Sequence, residues 1–417
     1  MFASPQLLAL LPPSPERKHI AARIRNKAVP SIRAGHPWLF ENSMEKEPSN
    51  GVSGDIAVLF DKNRNFLAAG LYDPLSPVRV KIFTHSQKLP PVGYELFCHS
   101  VSAAEQLRSG KIPSGTNAWR LIHGDSDDFP GLVADKYDHA VVLKFYSAAL
   151  LPWAGDFARA VLQQHGEVDS LVFRLSRELQ RLSDEERAGI QDGMTFSVIP
   201  DWDAVTQFRE NGIVFESDLR RGQKTGFFLD QRENRMKVGS LARGCNVLNV
   251  FSYSGGFSLH AARGGAESVT SVDLDPHALE LCQRNFRLNP VCNVVPHEEI
   301  AGDAFQVFSD LRAANRLFEL VIVDPPSFAK TEAEVPRALN SYARLAKSAV
   351  RVLKPGGTLV FASCSSRVSA DVLFQTIENT CSAYGRPLAI FDRTYHAPDH
   401  PAKFPESRYL KCLYAKA

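Results

Sequence analysis

Residues 246–262 read Asn246-Val247-Leu248-Asn249-Val250-Phe251-Ser252-Tyr253-Ser254-Gly255-Gly256-Phe257-Ser258-Leu259-His260-Ala261-Ala262. An apolar run, a turn of small residues and a run of helix formers follow one another, which predicts a buried strand that leads into a helix. Eighteen residues after Gly255, a second apolar run ends in acid at Ser271-Val272-Asp273. A carboxylate at about this spacing binds ribose hydroxyls in doubly wound sheets. Together the two segments predict a pocket for a nucleotide-type ligand.

Glycines at the turn allow a ligand to approach the backbone closely, because Gly255 and Gly256 carry no side chain. The turn lacks the G-x-G-x-x-G pattern, which places a pyrophosphate at a helix N-terminus. A ligand without phosphate therefore fits better, and S-adenosylmethionine is such a ligand. On this pattern alone, an ordinary turn with Asp273 as a solvated strand end is an open alternative.

A second functional pattern follows another predicted buried strand, residues 318–323. This strand ends in Asp324-Pro325-Pro326. Because two prolines cannot continue a β-ladder, the backbone beyond Asp324 is stiff and its carbonyls are free to face a ligand. That geometry suits the binding of a flat base.

Strands and helices alternate through the C-terminal half of the chain. Helical spacing covers residues 276–289 and 345–353, and the second helix is predicted to close at Lys354-Pro355-Gly356-Gly357. An apolar strand over residues 358–366 follows and contains Cys364. This alternation predicts an α/β fold with a doubly wound sheet.

The chain is predicted to contain three domains behind a short leader. Two apolar runs, residues 56–60 and 66–72, are separated by a polar turn and predict a β-hairpin. The predicted segments are a leader over residues 1–18, a β-rich domain over 19–84, a central α+β domain over 85–215 and an α/β domain over 216–417.

Composition narrows the class of protein. The formal net charge is +2, from 48 basic and 46 acidic residues, and residues 1–90 hold twelve Lys and Arg against seven Asp and Glu. This excess fits an RNA-facing surface, although chance unevenness explains it equally well. The seven cysteines are scattered without a C-x-x-C pair, which predicts reduced thiols in the cytoplasm and no metal site. No apolar run of membrane-spanning length occurs, so no membrane partner is expected.

These motifs resemble the class I S-adenosylmethionine-dependent methyltransferases. More narrowly, they resemble the bacterial 23S rRNA cytosine-C5 methyltransferases that carry an N-terminal PUA domain. The narrower resemblance rests on Lys224-Thr225-Gly226-Phe227-Phe228-Leu229-Asp230-Gln231-Arg232, on the turn from Phe251 to Gly256, on Asp324-Pro325-Pro326-Ser327-Phe328 and on Ser363-Cys364-Ser365. It extends upstream to residues 35–40 and 125–132, and so covers nearly the whole chain.

The resemblance implies S-adenosylmethionine as the cofactor, large-subunit rRNA as the partner and an RNA-binding PUA fold for residues 19–84. It leaves a homodimer possible. The implied cofactor-binding residues are Asp230, Gln231, Arg232, Asn249, Phe251, Ser252, Tyr253, Ser254, Gly255, Gly256, Asp273, Asp303 and Asp324. Pro325, Pro326 and Phe328 are implied for substrate binding. From the residues alone, the alternative for Asp230 to Arg232 is the polar start of a helix, and the alternative for His36 and Trp38 is core packing.

Cytosine carbon 5 is a poor nucleophile, and a thiolate that adds to carbon 6 activates it. Cys364, predicted near the carboxyl end of its strand, is the expected nucleophile, and Asp324 is expected at the N3 and N4 edge of the ring. The alternative for Cys364 is an inert buried thiol. Better-known RNA cytosine-C5 enzymes have a second cysteine where Ser327 stands, so the group that removes the carbon-5 proton is not predicted.

Two other functions are open on the sequence. An rRNA purine methyltransferase, acting on guanine N7 or an amino group, shares similar motifs and would leave Cys364 structural. A catalytically silent RNA-binding assembly factor would have no affinity for the cofactor. The intact glycine turn with Asp273 favours the enzyme.

Overall fold

The computed structural model describes residues 4–404 and 407–417, which fold into two compact units. The first unit comprises the described residues up to Phe208 together with Ser217–Phe227. The second comprises Arg209–Glu216 and the described residues from Phe228 to the end of the chain. No helix in the described ranges has the length and apolar character needed to cross a membrane.

The N-terminal part of the first unit is β-rich. Its five-stranded sheet has the order β1-β3-β4-β5-β2, and β3 and β4 form the predicted antiparallel hairpin. The expected leader includes a short helix whose Leu7 is buried. The elements are α1 Pro5–Leu10, β1 His19–Arg23, α2 Val29–Arg33, β2 Trp38–Phe40, β3 Ile56–Phe60, β4 Phe66–Tyr72 and β5 Val78–Thr84.

The central part of the first unit is an α+β arrangement with a second five-stranded sheet of order β10-β9-β8-β7-β6. One apolar cluster contains Leu7, Ile56 and Phe157, so the leader helix, the first sheet and the central helices share a core. The elements are α3 Tyr94–Arg108, β6 Ala118–His123, β7 Leu132–Tyr137, β8 Ala140–Phe145, α4 Ala154–Gln164, β9 Ser170–Leu175 and β10 Met194–Ser197.

A two-stranded hairpin follows, with β11 Val205–Glu210 and β12 Ile213–Asp218. Its connecting residues Asn211 and Gly212 both have positive φ, 51° and 80°. Two-residue hairpin loops favour Asn-Gly because both central positions require this conformation. The backbone preferences of Asn211 and Gly212 therefore account for this turn.

The second unit contains a seven-stranded sheet of order β15-β14-β13-β16-β17-β19-β18. Its first five strands are parallel, and β19 is antiparallel to both neighbours. Strand order reverses between β13 and β16, and ligands of open α/β sheets bind beyond the carboxyl ends at such a point. The elements are α5 Arg232–Leu241, β13 Asn246–Val250, α6 Gly256–Arg263, β14 Ser268–Asp273, α7 Pro276–Leu288, α8 Pro290–Asn293, β15 His297–Ala301, α9 Ala304–Ala313, β16 Phe318–Val323, α10 Val335–Val352, β17 Leu353–Ser363, α11 Ala370–Ala383, β18 Ala389–Thr394 and β19 Lys411–Lys416.

The predicted end of the second helix agrees with the structure to within one residue, because α10 ends at Val352, but its predicted start and the predicted turn after it are wrong. Helix α10 begins ten residues earlier than predicted and passes directly into β17, which includes Lys354-Pro355-Gly356-Gly357. The pairing of β16 with β17 shifts register between Phe318 and Leu320, and such an irregularity accommodates a proline that has no N–H to donate. Strand β17 ends at Ser363, so Cys364 is the first residue beyond it.

Candidate active site

The turn after β13 has an unusual backbone. Phe251 and Tyr253 have φ of 66° and 46°, in a region that residues with side chains rarely adopt. Gly255, at φ +84°, precedes α6, and a Cβ atom at this position would lie 2.3 Å from the Sγ atom of Cys282. Only glycine fits there, and a backbone held in this conformation is typical of a ligand-binding turn.

Three buried oxygens around this turn fit a polar ligand. The hydroxyls of Ser252 and Ser254 and the Oδ1 atom of Asn249 are buried, and the described part of the chain gives them no hydrogen-bond partner. The amide nitrogen of Asn249 donates to the hydroxyl of Ser258 at 2.9 Å, so the amide orientation is fixed. Because unpartnered buried oxygens carry a free-energy penalty, they suit a ligand that supplies hydrogen-bond donors.

Asp273 ends β14 beside this turn. One carboxylate oxygen accepts the N–H of Tyr253 at 2.7 Å, and the other accepts the N–H of Asp275 at 3.0 Å. Each carboxylate oxygen can accept a further bond, so the fixed carboxylate remains able to bind hydroxyls. Leu274 lies between the two acids and is 72% exposed, which offers an apolar surface that the sequence analysis did not identify.

Asp303 follows β15, whose last residue Ala301 is in register with Asp273. Its Oδ1 atom accepts the N–H groups of Phe305 and Gln306 at 3.0 Å and 3.2 Å and so caps α9. The structure thus brings Asp303 to the carboxyl edge of the sheet, where its proposed contact with the cofactor stays a prediction.

Asp230 and Gln231 lie in a single helical turn before α5. Asp230 accepts the hydroxyl of Tyr409 at 2.8 Å, and Gln231 donates to the carboxylate of Asp324 at 2.9 Å. Asn234, one turn further along, donates to Gln231 at 2.6 Å. The bond to Asp324 therefore joins Gln231, a predicted cofactor residue, to a predicted catalytic residue.

Arg232 is fully buried. Its guanidinium donates to Asp399 at 2.8 Å and to Glu233 at 3.1 Å, and its Nη1 atom has no partner among the described residues. The ion pair with the buried Asp399 gives this arginine a structural role in the second unit.

Asp324 follows β16 and is half-buried. Pro325 is buried and Pro326 is exposed. The ring of Phe328 lies 5.1 Å from the ring of Tyr342 in a tilted arrangement. The Asp-Pro-Pro segment thus leaves β16 at the carboxyl edge of the sheet, as the sequence predicts.

Cys364 is half-buried and follows β17, the strand next to β16. Asp324 and Cys364 therefore lie at the ends of adjacent parallel strands. The hydroxyl of Ser363 is 2.9 Å from the hydroxyl of Tyr342, which anchors the last residue of β17 to helix α10.

Lys411 is a charged residue of this site that the sequence analysis missed. Its side chain is buried, and its ammonium group donates to the carbonyls of Ser365 and Val368, in the loop after Cys364. No carboxylate forms an ion pair with it in the described ranges. Burial lowers the pKa of Lys411 to about 8, and negative charge on Cys364 opposes this shift. A lone lysine in the apolar stretch Leu410-Lys411-Cys412-Leu413 was the available sequence signal.

Burial raises the pKa of each of the other cysteines, so these thiols stay protonated near neutral pH. The pKa rises to about 11 for Cys292 and to about 12 for Cys381 and Cys412. The pKa values of Cys98, Cys245 and Cys282 are also raised by burial.

The parallel sheet, the glycine turn and the acid that ends β14 define a class I methyltransferase that depends on S-adenosylmethionine. The S-adenosylmethionine-dependent methyltransferase family matches residues 192–415, and a PUA-like domain matches residues 22–85. The ribosomal RNA large subunit methyltransferase of Deinococcus radiodurans is 40% identical over 408 residues, which cover 96% of this chain and 98% of that protein. The ribosomal RNA large subunit methyltransferase I of Aeromonas salmonicida is 31% identical, over 93% of this chain and 96% of that protein.

The chain therefore belongs to the family of S-adenosylmethionine-dependent ribosomal RNA large subunit methyltransferases, and S-adenosylmethionine is its cofactor. A Streptococcus mutans protein assigned to the S-adenosylmethionine-dependent methyltransferases has the same fold, with a TM-score of 0.78 and 22% identity over 95% of this chain and all of that one. A methyltransferase solved with S-adenosylhomocysteine also has a TM-score of 0.78, at 21% identity over 96% of this chain and all of that one. The predicted fold class and cofactor are confirmed.

Proposed function

We propose that this enzyme forms 5-methylcytosine in large-subunit rRNA through a covalent adduct between Cys364 and cytosine carbon 6. The observation that carries the proposal is the placement of Cys364 and Asp324 beyond adjacent strands, with the ammonium of Lys411 bonded to the loop that follows Cys364. The names of the relatives support rRNA as the substrate.

Lys411 supplies the basic neighbour that a nucleophilic thiol requires. A nearby positive charge favours the thiolate over the thiol. The ammonium is buried, and within the ranges 4–404 and 407–417 no carboxylate pairs with it, so no side chain there cancels its charge. With a pKa of about 8, Lys411 is mostly protonated at neutral pH and can stabilise a Cys364 thiolate.

The thiolate of Cys364 adds to carbon 6 of a cytosine that is flipped out or single-stranded. Its electron pair forms the sulfur–carbon bond, and the ring becomes an enamine with a nucleophilic carbon 5. Asp324, fixed by Gln231, orients the ring through its N3 and N4 edge. Carbon 5 takes up the methyl group and then gives its proton to a base. The sulfur–carbon bond breaks as the 5,6 double bond re-forms, and Cys364 leaves as the thiolate.

Asn249, Ser252 and Ser254 would hold S-adenosylmethionine through their buried oxygens around the turn. Asp273 would hold it through its half-buried carboxylate, which the N–H of Tyr253 fixes. When bound, this cofactor supplies an electrophilic methyl group attached to a sulfonium. Asp230 and Asp303 flank the same edge of the sheet and are proposed to contribute to this pocket.

The test is a methylation assay on unmodified large-subunit rRNA, with the product identified by nucleoside mass spectrometry. Wild type is expected to form 5-methylcytidine, and Cys364→Ala is expected to form none. Cys245→Ala is the matched control, because Cys245 immediately precedes β13 at the opposite edge of the sheet and should leave the rate unchanged. A methylated purine formed equally by wild type and Cys364→Ala would refute the proposal and favour the purine methyltransferase.

A further inference from the structure

A cavity lies beside the loop that follows Cys364, entirely within the second unit. Its volume is about 700 Å³, within the range of pockets that bind small ligands. The walls come from the start of α11 and its preceding loop, from the residues after β18, and from the residues before β19. No residue that contacts this cavity is among the predicted cofactor or substrate residues.

The cavity combines positive charge with an exposed aromatic ring. Arg367 and Arg408 line it and are exposed, and neither forms an ion pair in the ranges that the structure describes. Lys411 adds a third cation, and Asp371 is the one carboxylate among the described residues that line the cavity. Tyr395 also lines the cavity and is 52% exposed.

Cationic side chains next to an exposed aromatic ring are the recurring means of binding single-stranded nucleic acid. The aromatic ring stacks on a base, and the guanidinium groups pair with phosphate oxygens. An apolar ligand would not pair with Arg367 and Arg408. An acidic small molecule would pair with them but would make no use of the exposed ring of Tyr395. The cavity therefore matches a nucleotide that is part of an RNA strand.

We propose that this cavity binds the nucleotide next to the target base, with its base stacked on Tyr395 and its phosphate held by Arg367 and Arg408. The inference rests on the proposed function, because only a target base held at Cys364 brings its neighbour to this cavity. Arg367 lies three residues after Cys364, so the site follows the nucleophile directly in the chain. Binding here would draw the strand out and help to keep the target base unstacked.

The first test measures binding of a fluorescein-labelled single-stranded RNA of ten cytidines to the full chain, by anisotropy over a series of KCl concentrations. Tyr395→Ala is expected to weaken binding about tenfold, because stacking on one aromatic residue contributes about that much, while the salt dependence is unchanged. Arg367→Gln is expected to reduce the slope of log K against log salt by about 0.7, as the loss of one phosphate contact to a single strand predicts.

Arg312→Gln is the matched control, since Arg312 is exposed at the end of α9 and lies outside the cavity. It should leave both affinity and slope unchanged. Wild-type affinity for Tyr395→Ala and Arg367→Gln, or an equal loss in all three variants, would overturn the proposal. These measurements need no methyl transfer, so their failure is distinct from an absence of 5-methylcytidine in the product assay.

A second measurement locates the contact. A decamer with one 5-iodouridine beside a cytidine is crosslinked by ultraviolet light, and the tryptic adduct is identified by mass spectrometry. The adduct is expected on residues 394–403, the peptide that contains Tyr395. Tyr395→Phe should retain the crosslink and Tyr395→Ala should lose it. Crosslinks confined to other peptides would contradict the proposed site.

Discussion

At the scale of single residues, Lys411 is the most informative side chain in the site. The partners of its buried ammonium among the described residues are backbone carbonyls. Such burial of a charge is costly, and it lowers the pKa of Lys411 to about 8. The folded protein keeps this lysine at that cost. The proposed stabilisation of a Cys364 thiolate would give this lysine a function that a neutral residue of similar size could not perform.

Lys411→Met tests this role without any RNA. Loss of the cation should lower the thiolate fraction of Cys364 at pH 7 and slow its alkylation by iodoacetamide about tenfold, the effect of removing one nearby opposite charge. The rate is read as labelling of the peptide that contains Cys364. Lys416→Met is the control, because Lys416 ends β19 and is exposed. Equal labelling of wild type and Lys411→Met would contradict the role.

The ionisation of Lys411 also predicts how the rate of methyl transfer depends on pH. As pH rises through about 8, Lys411 loses its proton and its charge, so kcat/KM is expected to fall on the alkaline side. Lys411→Arg should move this decline to higher pH, because a guanidinium keeps its proton. The measurement is a pH profile of kcat/KM for wild type and Lys411→Arg. If the decline at alkaline pH were the same in both, Lys411 would not be its cause.

The contribution of Lys411 to the free energy of unfolding should rise with pH, whereas kcat/KM should fall. The folded pKa of Lys411 lies below its usual value of 10.5, so the unfolded chain binds the extra proton between about 8 and 10.5. The contribution of this lysine to the free energy of unfolding therefore rises with pH across that window and is constant below it. Urea titrations of wild type and Lys411→Met should diverge there, whereas parallel curves would contradict the assignment.

At the scale of elements, the turn between β13 and α6 depends on glycine for two separate reasons. Gly255 has a positive φ, and its missing side chain makes room for Cys282 on α7. Gly385, after α11, has φ of +76° but no atom within 4 Å of the position of a Cβ. Substitutions at Gly255 and Gly385 can therefore separate the effect of backbone strain, present at both, from that of steric overlap, present only at Gly255.

Gly255→Ala is expected to lower the free energy of unfolding by several kcal/mol and to weaken binding of S-adenosylhomocysteine, because both strain and overlap act on the turn. Gly385→Ala should cost about 1 kcal/mol through strain alone and leave ligand binding unchanged. Urea denaturation and equilibrium dialysis measure the two effects. Equal losses in the two variants would show that the contact with Cys282 does not matter.

Element boundaries show where local patterns are reliable. The strands before the glycine turn and before Asp-Pro-Pro were predicted because each is a short apolar run bounded by residues that end strands. The start of β17 was missed because Lys354-Pro355-Gly356-Gly357 favours a turn locally. In the structure these residues belong to β17. They lie in the register shift between Leu353 and Thr358, which both pair with β16, so the sheet accommodates the proline there.

At the scale of the whole molecule, the predicted cofactor residues all fall in the second unit. A ligand at 100 times its dissociation constant stabilises the state that binds it by about 2.7 kcal/mol. Hydrogen exchange with S-adenosylhomocysteine should therefore slow in peptides around 246–275 and 318–330, and should be unchanged in peptides of the first unit. ADP is the control, since the turn lacks the features that hold a pyrophosphate. Protection confined to the first unit would contradict the assigned pocket.

The sequence by itself determined the alternation of strands and helices, the glycine turn, the acid that ends β14 and the Asp-Pro-Pro segment. Each of these depends on periodicity and backbone preference within a short window, so each is encoded locally. The family and the cofactor followed from these motifs.

Only the tertiary structure decided which distant residues complete the site. Lys411 bonds to a carbonyl 46 residues away, Gln231 to Asp324 across 93 residues and Tyr409 to Asp230 across 179. These contacts exist because β19 inserts antiparallel beside β17 and because the turn before α5 packs against the end of β16. Hydrogen bonds and charge pairs between such remote segments depend on sheet order and register, which no local pattern specifies.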